Sequence, residues 1–346
     1  MARKATAQDV ADLAGVSRSS VSLVLNGRGA GNLSPEKQRA VRAAAQQLDY
    51  TPNAVALSLR SRRTRTLGVL TWPGAVGFSQ TMLHRALRKA GEHSYLLLVM
   101  DTDGDADVER RQLDTLRDRQ VDGFLVVSPA MAHYRPAEVL TSTPTVLLNC
   151  LDPDRRVSGV SPDEVQAGRR AAEVLLRQGH RRIGLLVGDP DALQTQLRVS
   201  GVQQAVTAAG GVPPQPCVAG RNIDEGARGA RAMLSGPDRP TAVVCTHERL
   251  AVGAALVAAE LGLGVPAELS LVSLEDGERL TSRLDPPMTT VHRPDGAMAE
   301  QAVSLLLEQL GTGTEEVRQL LFGCPVRERG SVAAPGQRRG PAGRPR

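Results

Sequence analysis

Through the first fifty positions apolar residues recur at three- and four-residue steps, at Val10, Ala11, Ala14, Val21, Val24 and Leu25, then at Val41, Ala44, Ala45 and Leu48. That spacing predicts helices with one inward face. Gly15 breaks the first two apart, so Thr6 to Gly27 reads as helix, tight turn, helix. Thr6 with Asp9 three residues on resembles a capping box, and Ser17 stands where it can cap the second helix. In SPEKQRAVRAAAQQLDY, Ser34 can cap and Pro35 fits a first turn, which predicts a third helix ending before Tyr50. After a turn at Pro52, Asn53 to Leu59 is too short for a helix stable by itself.

Beyond Arg65 the pattern changes to short apolar runs, TLGVL, YLLLVM, GFLVV, TVLLN, RIGLLVG, TAVVCT and LSLVSL, alternating with helix-like stretches. Such alternation predicts α/β architecture, with doubly wound parallel sheets covered by helices on both faces. Roughly 270 residues of it suggest two such subdomains.

Composition narrows the class. The chain has 346 residues and 41% hydrophobic content, enough for two or three domains with sizeable cores. No apolar run approaches the roughly 20 residues of a membrane span, and the basic start MARKATAQDV lacks a secretory apolar stretch, so a cytoplasmic protein is expected. Cys150, Cys217, Cys245 and Cys324 form no CxxC pair and read as structural thiols. No P-loop, glycine fingerprint, GxSxG or HExxH occurs, and neither an enzyme, a cofactor nor a metal is expected. His247 beside Glu248 could be imagined as an acid-base pair, but neighbours on a strand-to-helix loop need not face one site.

Charge is unevenly spread. Residues 1–66 carry a net +7 and residues 327–346 a net +5, which leaves −7 for residues 67–326. A basic head on an acidic body suggests that the head faces nucleic acid, although charge alone leaves a solvated arginine-rich surface open. The tail GQRRGPAGRPR is expected to be disordered. On the second helix Arg18, Ser19, Ser20 and Ser22 lie near a positively polarised N-terminus, where hydroxyls and an arginine suit phosphates and base edges.

These residues carry a resemblance to the lac repressor (LacI/GalR) family of bacterial transcription regulators. The head DVADLAGVSRSSVSLVLNG, the hinge YTPNAVALSLR, TLGVL, GHRRIGLLVG, DPPMTTVHRP and RERGS follow the family's order over nearly the whole chain. The resemblance implies a helix-turn-helix head (1–50), a hinge helix and linker (51–66), a periplasmic-binding-protein-like core (67–333) and a basic tail (334–346). The core's first subdomain would be about 67–160 with 292–322, and its second about 161–291 with 323–333. It also implies a homodimer or tetramer whose paired heads bind a palindromic operator while the core senses a small molecule, with no membrane partner.

By the same resemblance, Arg18, Ser19 and Leu23 match base-reading positions in the major groove, and Thr6, Ser17, Ser20, Ser22 and Asn26 phosphate-binding ones. Leu23 departs from the polar or basic residue common there, leaving a thymine-methyl contact or simple packing. In the hinge, Asn53, Ala56, Leu59 and Arg60 are assigned to DNA. Leu59 would wedge into the central base step of the minor groove, and Leu57 stands where arginine is common.

Arg198 takes the place of an arginine that grips ligand hydroxyls or carboxylates, and Phe78, Asn149, Arg221, His247, Glu248, Glu275 and, less directly, Asp295 match other cleft positions. His247-Glu248 replaces a common Asn-Asp, Glu275 an Asp, and aromatic residues are scarce. A sugar effector is thereby weakened, and a charged ligand or a pocket that binds nothing stays open. The rival readings are a periplasmic-type ligand-binding module, which would need an export signal and no head, and a nonspecific architectural DNA binder.

Overall fold

The computed structural model describes residues 5–27, 29–51, 63–72, 80–277, 279–313 and 316–336. The chain forms two compact units, Met1–Thr66 and Leu67–Arg346.

The first unit holds α1 (Ala7–Ala14), α2 (Arg18–Leu25) and α3 (Pro35–Gln47). Thr6 and Asp9 close a reciprocal capping box at the start of α1, and Ser17 and Ser34 cap the other two helices. Gly15 ends α1 at φ +61°, a left-handed conformation that glycine adopts without steric cost, and Val16 N–H then reaches back to the Ala11 carbonyl at 3.0 Å. This turn directs α2 across α1. Val10, Ala11, Val21, Val24, Val41, Ala44 and Ala45 are buried together between the three helices, with Tyr50 and Leu48 against them.

The second unit contains two six-stranded sheets. The first has the order β11-β5-β4-β3-β1-β2, built from β1 (Thr66–Thr71), β2 (Leu96–Asp101), β3 (Gly123–His133), β4 (Thr145–Leu151), β5 (Ser158–Pro162) and β11 (Gln319–Phe322). The second has the order β12-β10-β9-β8-β6-β7, from β6 (Ile183–Val187), β7 (Pro216–Val218), β8 (Ala242–Cys245), β9 (Ser270–Ser273), β10 (Thr289–Val291) and β12 (Val326–Arg327). Alternate residues of one strand enter two different cores. Val69, Leu125 and Leu148 face α4 (Gln80–Glu92) and α11 (Asp295–Thr312), whereas Leu70, Val126 and Leu147 face α5 (Ala106–Asp118). Burial on both faces explains why the strands read as continuous apolar runs.

Of the strand pairs whose register is described, all are parallel except that of β12 with β10, which is antiparallel with Thr290 opposite Arg327. That reversal follows from the chain crossing between the sheets a third time. The three crossings lie side by side: Asp163 N–H bonds the Phe322 carbonyl at 2.8 Å, and His292 N–H bonds the Pro325 carbonyl at 3.1 Å. The arginines of RERGS belong to this packing and not to a free basic tail. Arg327 and Arg329 bond Asp276 at 2.7 and 2.6 Å, which neutralises part of the positive charge counted at the C-terminal end.

Two helices of the second sheet, α7 (Glu164–Arg177) and α8 (Leu193–Ala208), approach to backbone contact. A methyl group on Gly168 would collide with the Arg198 carbonyl, and one on Gly201 with the Val165 carbonyl. This close crossing brings the first turn of α7 beside the middle of α8, where the cleft chemistry lies.

His180 closes the far end of the unit. Its Nε2 lies 2.9 Å from the Ala333 carbonyl and its Nδ1 2.9 Å from the Thr241 hydroxyl. Donation to the carbonyl assigns the proton to Nε2, so Nδ1 accepts from Thr241. Burial holds the pKa of His180 below the ordinary 6.5, and His292 shifts the same way for the same first reason. The unfolded chain therefore takes up these protons before the folded one does, and stability falls as pH drops below 6.5. We expect the thermal midpoint to fall from about pH 7.5 to about pH 5.5, and His180→Gln to flatten that slope. An unchanged slope in the variant would remove His180 from the explanation. Among the described residues no helix is long and apolar enough to cross a membrane.

Candidate functional site

On α2 the polar residues form a graded surface. Arg18 and Ser19 are exposed on its first turn, Val21 and Val24 are buried beneath, and Leu23 is half-buried. Ser17 Oγ accepts the Ser20 N–H at 3.1 Å and lies 2.7 Å from Ser19 Oγ and 2.9 Å from Ser20 Oγ. Those two contacts among three hydroxyls use two protons and leave one that can donate outward. Asn26 donates its amide to the Ser22 carbonyl at 2.6 Å and the Ser22 hydroxyl at 3.1 Å, so both residues brace the end of the helix. Thr6 gives its hydroxyl and its N–H to the Asp9 carboxylate, each at 2.7 Å. A phosphate needs donors, so Thr6 could reach one only by opening its cap. Arg18 and Ser19 are the groups most fully presented for recognition. Asn53, Ala56, Leu57, Leu59 and Arg60 of the hinge, and Phe78 of the cleft, lie outside the described residues.

In the second unit Arg198 is the centre of a closed network. Its Nε and Nη2 donate to the two carboxylate oxygens of Glu164 at 2.7 and 3.1 Å, and its Nη1 donates to Glu275 at 3.0 Å and to the Thr246 carbonyl. Arg198 is 1% exposed, and Glu164 is 2% exposed. Four of the five guanidinium N–H groups have internal acceptors, so Arg198 would grip a ligand only by exchanging some of these bonds. Burial opposes its charge, but Glu164 and then Glu275 outweigh burial and raise its pKa. Gln194 completes the arrangement, donating to Glu164 at 2.7 Å.

Glu275 is the carboxylate that meets the cleft, its side chain 32% exposed. Burial would raise its pKa, but His247 first and Arg198 second hold it well below the usual carboxylate range. His247 Nδ1 lies 3.2 Å from Glu275 Oε1, and the N–H of Glu248 points to Glu275 Oε2 at 3.5 Å. Glu275 thus serves the N-terminus of α10 (Glu248–Glu260), where His247 as N-cap offers no side-chain bond.

The other expected cleft residues separate. Glu248 turns its carboxylate to the Thr281 N–H and hydroxyl at 3.0 and 3.1 Å, so it is not a partner of His247 in acid-base work. Arg221 is exposed, with its backbone N–H on Glu225 at 2.6 Å. Asn149 is wholly buried at φ +61°, donating to the Ser128 carbonyl at 2.8 Å. Asp295 pairs with Arg293, whose Nη1 also reaches the Pro129 carbonyl on β3 at 3.4 Å. Glu164, Gln194, Thr246 and Arg293 were missed by sequence reasoning. Gln194 lies four positions before Arg198, Thr246 one before His247 and Arg293 two before Asp295, but nothing local says that a glutamate after the Asp163 cap turns inward.

Known proteins agree with this division. Residues 6–53 match the model for bacterial regulatory proteins of the lacI family, and residues 154–332 that of a periplasmic binding protein-like domain. The ribose operon repressor of Escherichia coli strain K12 is 31% identical over 95% of this chain and all of its own. The HTH-type transcriptional repressor PurR of Klebsiella pneumoniae strain 342 is 30% identical over 95% of this chain and 97% of its own. A crystal structure of the lac repressor dimer, bound to operator and the anti-inducer ONPF, superposes with a TM-score of 0.77 at 25% identity, covering 96% of this chain and all of that one.

Proposed function

The chain belongs to the lacI family of bacterial regulatory proteins, and from that premise we propose that it is a cytoplasmic repressor that binds a palindromic operator as a dimer and answers to a small polar effector. It is a DNA-binding transcriptional regulator and not an enzyme. The observation that carries the reading is the exposed Arg18 and Ser19 on the first turn of α2, set by the Gly15 turn and the Ser17 cap. A helix entering the major groove by its N-terminal residues puts these side chains at base edges. Ser20, Ser22 and Asn26 fix register on the backbone, and the hinge residues Asn53, Ala56, Leu59 and Arg60 engage the minor groove. A second copy is supported by exposed apolar groups on α4 and the edge strand β2, where Leu87, Leu96 and Val99 lie open.

The effector site in this reading is the face formed by His247 and Glu275, with Arg198 as the positioning residue behind it. Ligand in the cleft changes operator affinity only through a difference in its affinity for two arrangements of the core.

Recognition and attraction are separable by mutation. Arg18→Ala should cost about 1–3 kcal/mol and relax preference at one base pair of each half-site. Arg62→Ala should weaken all sequences alike and lower the salt slope. Binding to a library of single-base operator variants distinguishes the two. Uniform weakening by Arg18→Ala would make that residue a phosphate contact only.

A further inference from the structure

Within the reading of the cleft as an effector site, we infer that Glu164 sets the charge class of the effector: it is the built-in counter-ion of Arg198 and makes the cleft reject anions. The bidentate geometry places a carboxylate on the guanidinium edge, at 2.7 and 3.1 Å, where a ligand carboxylate or phosphate would otherwise sit. Gln194 donates to the same carboxylate at 2.7 Å and fixes it there. Glu164 is also held by its place in the fold, at the first position of α7 immediately after the Asp163 cap and the crossing from β5.

The surrounding charges point the same way. Arg198 and Arg293 face Glu164, Glu275 and Asp295, so the carboxylates outnumber the guanidinium groups by one. Of these, Glu275 is the acceptor left partly open, beside His247. The effector is therefore a molecule without an anionic group that presents hydroxyl or ammonium donors to Glu275. Phosphorylated and carboxylate-bearing metabolites would need to displace a buried glutamate from a two-point ion pair.

The test uses the full-length protein and sodium acetate as the probe, with sodium chloride at equal ionic strength as the control. The parent's thermal midpoint should be the same in both salts. Glu164→Ala removes the internal carboxylate, so its midpoint should fall by several degrees in chloride and climb with the logarithm of acetate concentration as acetate fills the vacated position. The double variant Glu164→Ala/Arg198→Met should be insensitive to acetate and more stable in chloride than Glu164→Ala. If Glu164→Ala does not fold in chloride, its refolding yield in acetate and the folding of the double variant are the readouts. Acetate stabilising the parent, no acetate response in Glu164→Ala, or a double variant no better than the single one would each overturn the assignment. Operator binding by Glu164→Ala, with and without acetate, separates this inference from the reading beneath it. Acetate that stabilises the variant but leaves operator affinity unmoved would preserve the counter-ion role and remove the cleft from regulation.

Discussion

Arg198→Ala should destabilise the second unit by about 3–5 kcal/mol, the range for removing one partner of a buried ion pair. The substitution deletes four donated hydrogen bonds and leaves the carboxylate of Glu164 buried without its cation, close to that of Glu275. Stability lost here differs from simple truncation of a surface arginine, because the carboxylates stay desolvated. The pH dependence gives an internal check. Glu275 in the parent has a pKa below its ordinary 4.5, so its contribution is present above that value and is lost as pH falls. The gap between parent and variant should accordingly narrow below about pH 4.5. Urea unfolding of the core at several pH values measures this. A variant as stable as the parent at neutral pH would mean that Arg198 is not held by the network and would restore it as a direct ligand contact.

The second large effect concerns the coupling of two heads. Residues 1–66 have their own core, with Val10, Val21 and Val41 fully enclosed, so the isolated head should fold. It should nevertheless bind the operator about 10²- to 10⁴-fold more weakly than the full chain, because a dimeric core converts the second half-site contact into an intramolecular event. Titration of one labelled operator with both proteins decides the matter. Equal affinities would show that the core contributes no pairing of heads.

The helical head was legible because its determinants are local. The capping box of Thr6 and Asp9, the Gly15 turn and the apolar spacing each act within four residues. The parallel sheets were legible for a related reason, since strands buried on both faces leave unbroken apolar runs such as the one through Phe124 to Val127. The cleft was less so. His247 and Glu248 are neighbours in sequence, but at a helix start their side chains diverge, one toward Glu275 and the other toward Thr281. Arg198 was singled out by resemblance, whereas its state depends on Glu164, thirty-four residues away in sequence, through a helix crossing that Gly168 and Gly201 permit. The antiparallel return of β12 and the pairing of Arg327 and Arg329 with Asp276 are likewise long-range facts that no local pattern encodes.

The central claim is sequence-specific recognition by paired heads. Selection of DNA from a fully randomised pool by the purified full-length protein, followed by sequencing, tests it most directly. The account predicts enrichment of one palindromic site whose half-sites each contain a position that loses its preference in the Arg18→Ala protein. Recovery of DNA with no common motif, bound in proportion to its length and lost uniformly with salt, would contradict it and identify a nonspecific binder.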